Sequence, residues 1–190
     1  MDFSLSDEQR MLADMVKRFV DKDYSFEARK ASVAAPEGFS RRHWKTLAET
    51  GLLGLNVPQA HGGLGGSPAD TLVVMEAFGR GLVVEPFVHS AVVAPRLLAA
   101  LGSQGQQEAM LPALTSGERL FALACLEPAG RYDLWHVDTQ AKAVQGGWVL
   151  DGAKCAVHYG DSADVLIVSA RESASGISLF LVDRKTGVSV

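Results

Sequence analysis

Cysteine is nearly absent from this chain: two thiols, Cys125 and Cys155, among 190 residues. With no CxxC pair and no adjacent histidine pair, they supply neither a zinc site nor a disulfide framework. An excess of one charge is lacking too, because 18 Lys+Arg against 22 Asp+Glu leave a net charge of −4. The densest basic run, Arg41-Arg42-His43-Trp44-Lys45, is one helical turn and reads as a solvated face. Phosphate binding needs a clustered basic surface, so nucleic acid is not an expected partner. Long apolar runs are also missing. The richest stretch, residues 81–101, is broken by Glu85, His89 and Arg96, well short of a membrane span. The acidic start, Asp2 to Glu8, has no basic region and no apolar core of a signal peptide. The expectation is a reduced, cytoplasmic protein with no membrane partner.

What is present is enough for a core. Apolar residues make up 47% of the chain, and a chain of this size buries about 70% of its unfolded surface. Up to about residue 117 the periodicity is helical. Ser6 followed by Gln9 makes a capping box, and Met11, Leu12, Met15, Val16, Phe19 and Val20 line one face behind it. A second helix runs from Ser40 through Trp44 and Leu47 to Gly51. A third opens on Ser67-Pro68 and ends at Gly79 or Gly81. Apolar segments at about 89–101 and 104–115 close on Gly102 and Gly117. Beyond that point the pattern becomes β. Arg119 to Leu126 is a short apolar run, and Gly146-Gly147 sits between two candidate strands. Asp151-Gly152 is a second turn signal. Further strands are predicted at 154–159, 165–170 and 177–182, with a last one opening at Val188. The predicted fold is α+β: a helical domain at 1–117, then an incomplete antiparallel β barrel or sandwich at 118–190. A β layer ending mid-strand leaves unpaired backbone groups, so the chain is expected to be part of a longer polypeptide or to need another chain.

Familiar catalytic motifs are missing: there is no GxGxxG after a strand, no GxxxxGK[ST], no GxSxG and no HExxH. The five histidines, at 43, 61, 89, 136 and 158, show no ligand spacing, and no metal is expected. The run His61 to Gly66 (HGGLGG) lacks the lysine of a phosphate loop and reads as a flexible turn between helices.

Four ordered blocks change the picture: Asn56 to Gly66, Ala100 to Ala124, Leu126 to Asp133 and Gly147 to Ala170. Together they resemble the acyl-CoA dehydrogenase family across the whole chain. The resemblance implies a helical N-terminal domain, a central β domain and a C-terminal helical bundle carrying a glutamate base beyond Val190. No catalytic residue is therefore assigned within the chain. It implies FAD as cofactor, an acyl-CoA thioester as substrate and an electron-transferring flavoprotein as acceptor. Dehydrogenation of that kind needs donors on the thioester oxygen and an oxidised ring beside the acyl chain.

Carried over position by position, the flavin-contacting residues are Cys125, Leu126, Tyr132, Ala156, Val157 and His158, with Tyr132 and Arg131 facing substrate. Glu127 and Pro128 match the family's Thr-Glu-Pro, but Leu126 replaces its threonine and Tyr132-Asp133 replace Ser-Asp. Gly152 and Lys154 match Gly-x-Lys, while Ala156-Val157-His158 replace Trp-Ile-Thr. Two side-chain donors and a shielding indole are thus gone, leaving backbone amides of 125–132 and 156–158 as donors. These departures look like the divergent subunits found in heteromeric enzymes, such as the small subunit of pimeloyl-CoA dehydrogenases. The alternatives are a catalytically silent partner subunit and a CoA-ester binding module without redox chemistry. At single residues, too, two readings stand: Tyr132 as a plain loop aromatic, His158 as a solvent-facing residue, Arg131 as a surface arginine.

Overall fold

The computed structural model describes residues 4–174 and 176–189. The chain divides into two compact units, residues 1–118 and 119–190. In the first, α1 (Asp7–Asp23) starts at the Ser6/Gln9 capping box and buries Val16 and Phe19. α2 (Phe26–Ala34) is capped by Ser25, an element whose weak amphipathic pattern had given no sequence signal. α3 (Arg41–Glu49) buries His43, Trp44 and Leu47. α4 (Pro68–Gly81) opens on a second capping box, Ser67 with Asp70, and Pro68 stands in the first turn, where its missing N–H costs nothing. α5 (Ala94–Leu101) and α6 (Gln104–Thr115) complete the unit.

The segment expected as one helix from 89 is in fact split. Residues Phe87–Val93 form a π-helical turn before α5. Pro95 explains part of this, since it cannot donate to the carbonyl of Ala91 and its ring crowds that turn. The stranded Ala91 carbonyl accepts instead from Asn56 Nδ2 at 3.2 Å. Asn56 Oδ1 in turn accepts from Arg96 Nη2 at 2.7 Å and from Thr71 Oγ1 at 2.9 Å.

The glycine run is not the flexible turn its composition suggested. The amides of Gly63, Leu64, Gly65 and Gly66 donate to Pro58, Gly54, Val57 and Leu55, at 3.2, 2.9, 2.9 and 2.7 Å. A Cβ at Gly63 would lie 2.1 Å from the Val57 carbonyl oxygen, so glycine there permits close backbone contact. Its amides are spent within the loop, and no phosphate cradle remains.

In the second unit, β4 (Val165–Arg171) is the central strand. It pairs in parallel with β1 (Phe121–Ala124) and antiparallel with β5 (Ile177–Asp183). β2 (Gln140–Val144) and β3 (Gly147–Asp151) form a hairpin, joined to β4 where Gln140 meets Arg171. The sheet is therefore mixed, its antiparallel parts being the two sequence-adjacent pairs. β4 is buried along nearly its whole length, which suits its unbroken apolar run. A core of Ala122, Ala124, Ala163, Leu166 and Val168 forms against it, with Leu150, Val157, Val182 and Val188 packed alongside.

Two predicted strands do not form. Residues 154–159 are irregular, because Ala156 and Tyr159 take φ of 49° and 57°, which no strand accommodates. Residues 188–189 lie outside any strand, Val188 packing its side chain into the core.

Candidate functional site

The last residue of β1, Ala124, leads into residues 125–136, and the hairpin leads through Gly152 into residues 152–160. These are the two stretches that hold the sequence-assigned residues, and the fold brings them side by side. The Cys155 amide donates to the Leu126 carbonyl at 2.9 Å. The amides of Leu126, Ala156 and Val157 donate to no acceptor among the described residues. A pair of adjacent chain segments with unspent N–H groups is a surface of donors, the type of group that binds ring carbonyls and ring nitrogens of a flavin. Side-chain identity matters little to it. Among the described residues, four other than glycine have positive φ: Leu82, Arg131, Ala156 and Tyr159. Three of these lie in the two segments. Each costs roughly 1–2 kcal/mol, so the surrounding fold must hold them in place.

What holds them is a buried polar network. Glu127, 4% exposed, accepts from Lys154 Nζ at 2.6 Å, from Thr139 Oγ1 at 2.7 Å and from the Thr139 amide at 3.0 Å, all on Oε1. Its Oε2 accepts from the Asp138 amide at 2.6 Å. Lys154, 8% exposed, also donates to Ser169 Oγ on β4 at 2.9 Å. Burial pushes the Glu127 carboxyl up, but the bonds from Lys154, Thr139 and the two backbone amides outweigh it and hold the group at about 2. Gly152 belongs to the same arrangement. A Cβ there would lie 2.5 Å from Thr139 Oγ1, so only glycine lets Thr139 reach the carboxylate.

The assigned side chains fall into distinct groups. Ala156 and His158 are exposed, whereas Val157 turns inward against the core and offers only its backbone. Leu126 and Cys125 are half-buried. Burial raises the Cys125 thiol against the opposing charge of Lys154, which keeps it a thiol. Arg131 is exposed, and Tyr132 and Trp135 stand out at 93% and 80% exposure. The backbone beneath them is braced. Arg171 donates to the carbonyls of Trp135, Val137 and Ala174 at 3.3, 3.1 and 3.3 Å, and Asp133 Oδ1 accepts from the Trp135 amide at 2.9 Å. The aromatic side chains are thus presented on a fixed loop.

Glu127, His136 and Asp138 bring ligand atoms within 4.8 Å of one another, a grouping the linear spacing hid. Glu127 Oε1 is already taken by Lys154 and Thr139, so a cation would have to share Oε2 with the Asp138 amide. The sequence reading also missed the roles of Thr139, Lys154 and Ser169. The one signal for them was that Glu127, Gly152 and Lys154 kept the family's residues while Leu126 and Ala156-Val157-His158 did not.

The acyl-CoA dehydrogenase N-terminal domain matches residues 6–118, and the acyl-CoA dehydrogenase middle domain matches residues 122–190. The rat mitochondrial long-chain specific acyl-CoA dehydrogenase is 34% identical over 189 residues, covering 94% of this chain and 43% of that protein. Acryloyl-CoA reductase (NADH) of Anaerotignum propionicum is 31% identical over 193 residues, covering 98% and 48%. The chain therefore spans about half the length of the curated relatives it matches. Among solved structures, the ChsE4-ChsE5 complex from Mycobacterium tuberculosis superposes with a TM-score of 0.86 at 29% identity, covering 97% of this chain and 49% of that one. The FAD complex of PigA gives 0.86 at 26% identity, covering 98% and 50%.

Proposed function

This chain belongs to the acyl-CoA dehydrogenase family, and from that membership we propose that it is a flavoprotein subunit acting on a CoA thioester. The reading is FAD-dependent α,β-dehydrogenation, with electrons passing to an electron-transferring flavoprotein. The single observation that carries it is the pairing of the two segments, Cys155 N–H on Leu126 O, with unspent amides on either side. Bound FAD supplies an oxidised ring that accepts two electrons as a hydride. The chain's own part is binding and orientation. The amides of Leu126, Ala156 and Val157, which have no acceptor among the described residues, would hold the ring, and exposed His158 lies next to them. Arg131 and Tyr132, on the braced loop, face the CoA ester, the guanidinium suiting a pyrophosphate.

A second reading, a partner subunit that binds without performing the chemistry, has a specific observation in its favour. The ChsE4-ChsE5 structure is a complex, and a heteromeric assembly with a second dehydrogenase subunit suits this reading. The test is the visible spectrum of the full-length, assembled protein. Flavin bands that bleach on adding a saturated acyl-CoA are expected for the first reading. Bleaching and turnover of the assembled complex that survive substitutions in this chain's two segments favour the second. Absence of flavin defeats both.

A further inference from the structure

The segment from 152 to 160 belongs to no strand, and among the described residues its backbone link to 125–128 is the bond from Cys155 to Leu126. One residue away on each side, Lys154 meets Glu127. The side-chain bond thus repeats the backbone bond in antiparallel sense, 154 with 127 beside 155 with 126. Lys154 is also fastened to the sheet through Ser169 of β4. An apolar pair of similar volume would be about as stabilising as this buried ion pair. What an ion pair adds is direction, because charge-assisted bonds tolerate little displacement. Two residues further on, Ala156 is held at a φ of 49° with its amide unspent.

We infer that Lys154 is a positioning residue: through Glu127 it locks the 152–160 turn to the 125–128 segment and sets the spacing of the flavin-facing amides of Leu126, Ala156 and Val157. The inference rests on the flavin reading above for its ligand, but the lock itself exists without one. Site support of this kind acts by keeping donors at productive distances rather than by touching the ligand.

The test compares the full-length, assembled protein with its K154M, K154R and S169A variants, by amide hydrogen exchange without flavin and by titration with FAD. In K154M, exchange at Cys155 should accelerate while Leu123 and Val168, in the ladder of β1 and β4, keep their protection. FAD affinity should fall about tenfold, the equivalent of one well-placed hydrogen bond, and the visible band of the bound flavin should shift. K154R, which keeps the charge, should restore part of both. If K154M does not fold, S169A carries the same comparison, with a smaller acceleration confined to 152–160. Unchanged Cys155 exchange in a folded variant overturns the inference, as does acceleration spread evenly over β4, which marks a general loss of stability. If the wild-type protein takes up no FAD, the flavin reading fails, while the lock still stands or falls on the exchange data alone.

Discussion

The two units each bury a glutamate, and they treat it in opposite ways. In the helical unit, the Glu85 side chain is 0% exposed, with the Ser40 amide and His43 Nδ1 each 3.4 Å from Oε1 and no hydrogen-bond partner on Oε2 among the described residues. Its neighbourhood is aromatic: Phe19, Tyr24 and His43 meet ring to ring, and Phe78 packs on Phe87 at 5.1 Å. In the β unit, Glu127 accepts four hydrogen bonds, and the core of that unit is built of alanine, valine and leucine. Large rings fill the helical interior, and apolar packing supplies its stability. The β unit has small residues and short strands around its irregular segments, so buried polar bonds must fix their geometry. The unit that carries the proposed ligand surface is the one held by directional bonds.

That contrast can be broken by substitution. The largest effect should come from Trp44→Ala, which empties a fully buried site and removes the indole donor to the Gly117 carbonyl. A loss of about 3–5 kcal/mol is expected in denaturant unfolding. Glu127→Gln should cost about 2–3 kcal/mol, because an amide nitrogen must face donors that a carboxylate oxygen had satisfied. The same exchange at Glu85, whose second oxygen has no partner to lose, should stay within about 1 kcal/mol. Equal costs at the two positions would erase the distinction.

Acid sharpens the comparison. Folding holds Glu127 at about 2 and unfolding returns it to the ordinary 4.5, so below about 4.5 the unfolded chain binds the additional proton. Stability from this source is complete above pH 4.5, erodes as the pH falls and is gone below about 2. Near-ultraviolet circular dichroism of the β unit, followed through this window, should show the loss in the wild type. Its contribution should be missing in Glu127→Gln. Gly152→Ala should cost about 1–3 kcal/mol by pushing Thr139 off the carboxylate, again read in denaturant unfolding. The smallest effect belongs to Arg80→Ala, which breaks an exposed i,i+4 pair with Glu76 at 3.0 Å and should change the unfolding free energy by no more than about 0.5 kcal/mol.

Much of the architecture was legible in the residues. The caps at Ser6 and Ser67 name their own helices, because the bonds they make reach only three residues along the chain. The hairpin was visible as well, with its turn at Gln145-Gly146 and Gly147 already the first residue of β3. Less legible was the split before α5, which depends on Asn56, far away in sequence, taking the carbonyl that Pro95 cannot serve. The strand predicted at 154–159 failed for a related reason. Its apolar residues mark a segment that packs Val157 inward, but the positive φ at Ala156 leaves no trace in its side chain.

The sequence by itself determined the family and most of the helices and strands. These are written in local periodicity, caps and ordered motifs. Only the tertiary structure decided that Glu127 and Lys154, 27 residues apart, form one buried pair, and that Thr139 and Ser169 complete it. Hydrogen bonds between distant side chains leave no periodic signature. Their partners are chosen when the sheet closes and the chain's far positions are brought within three ångströms.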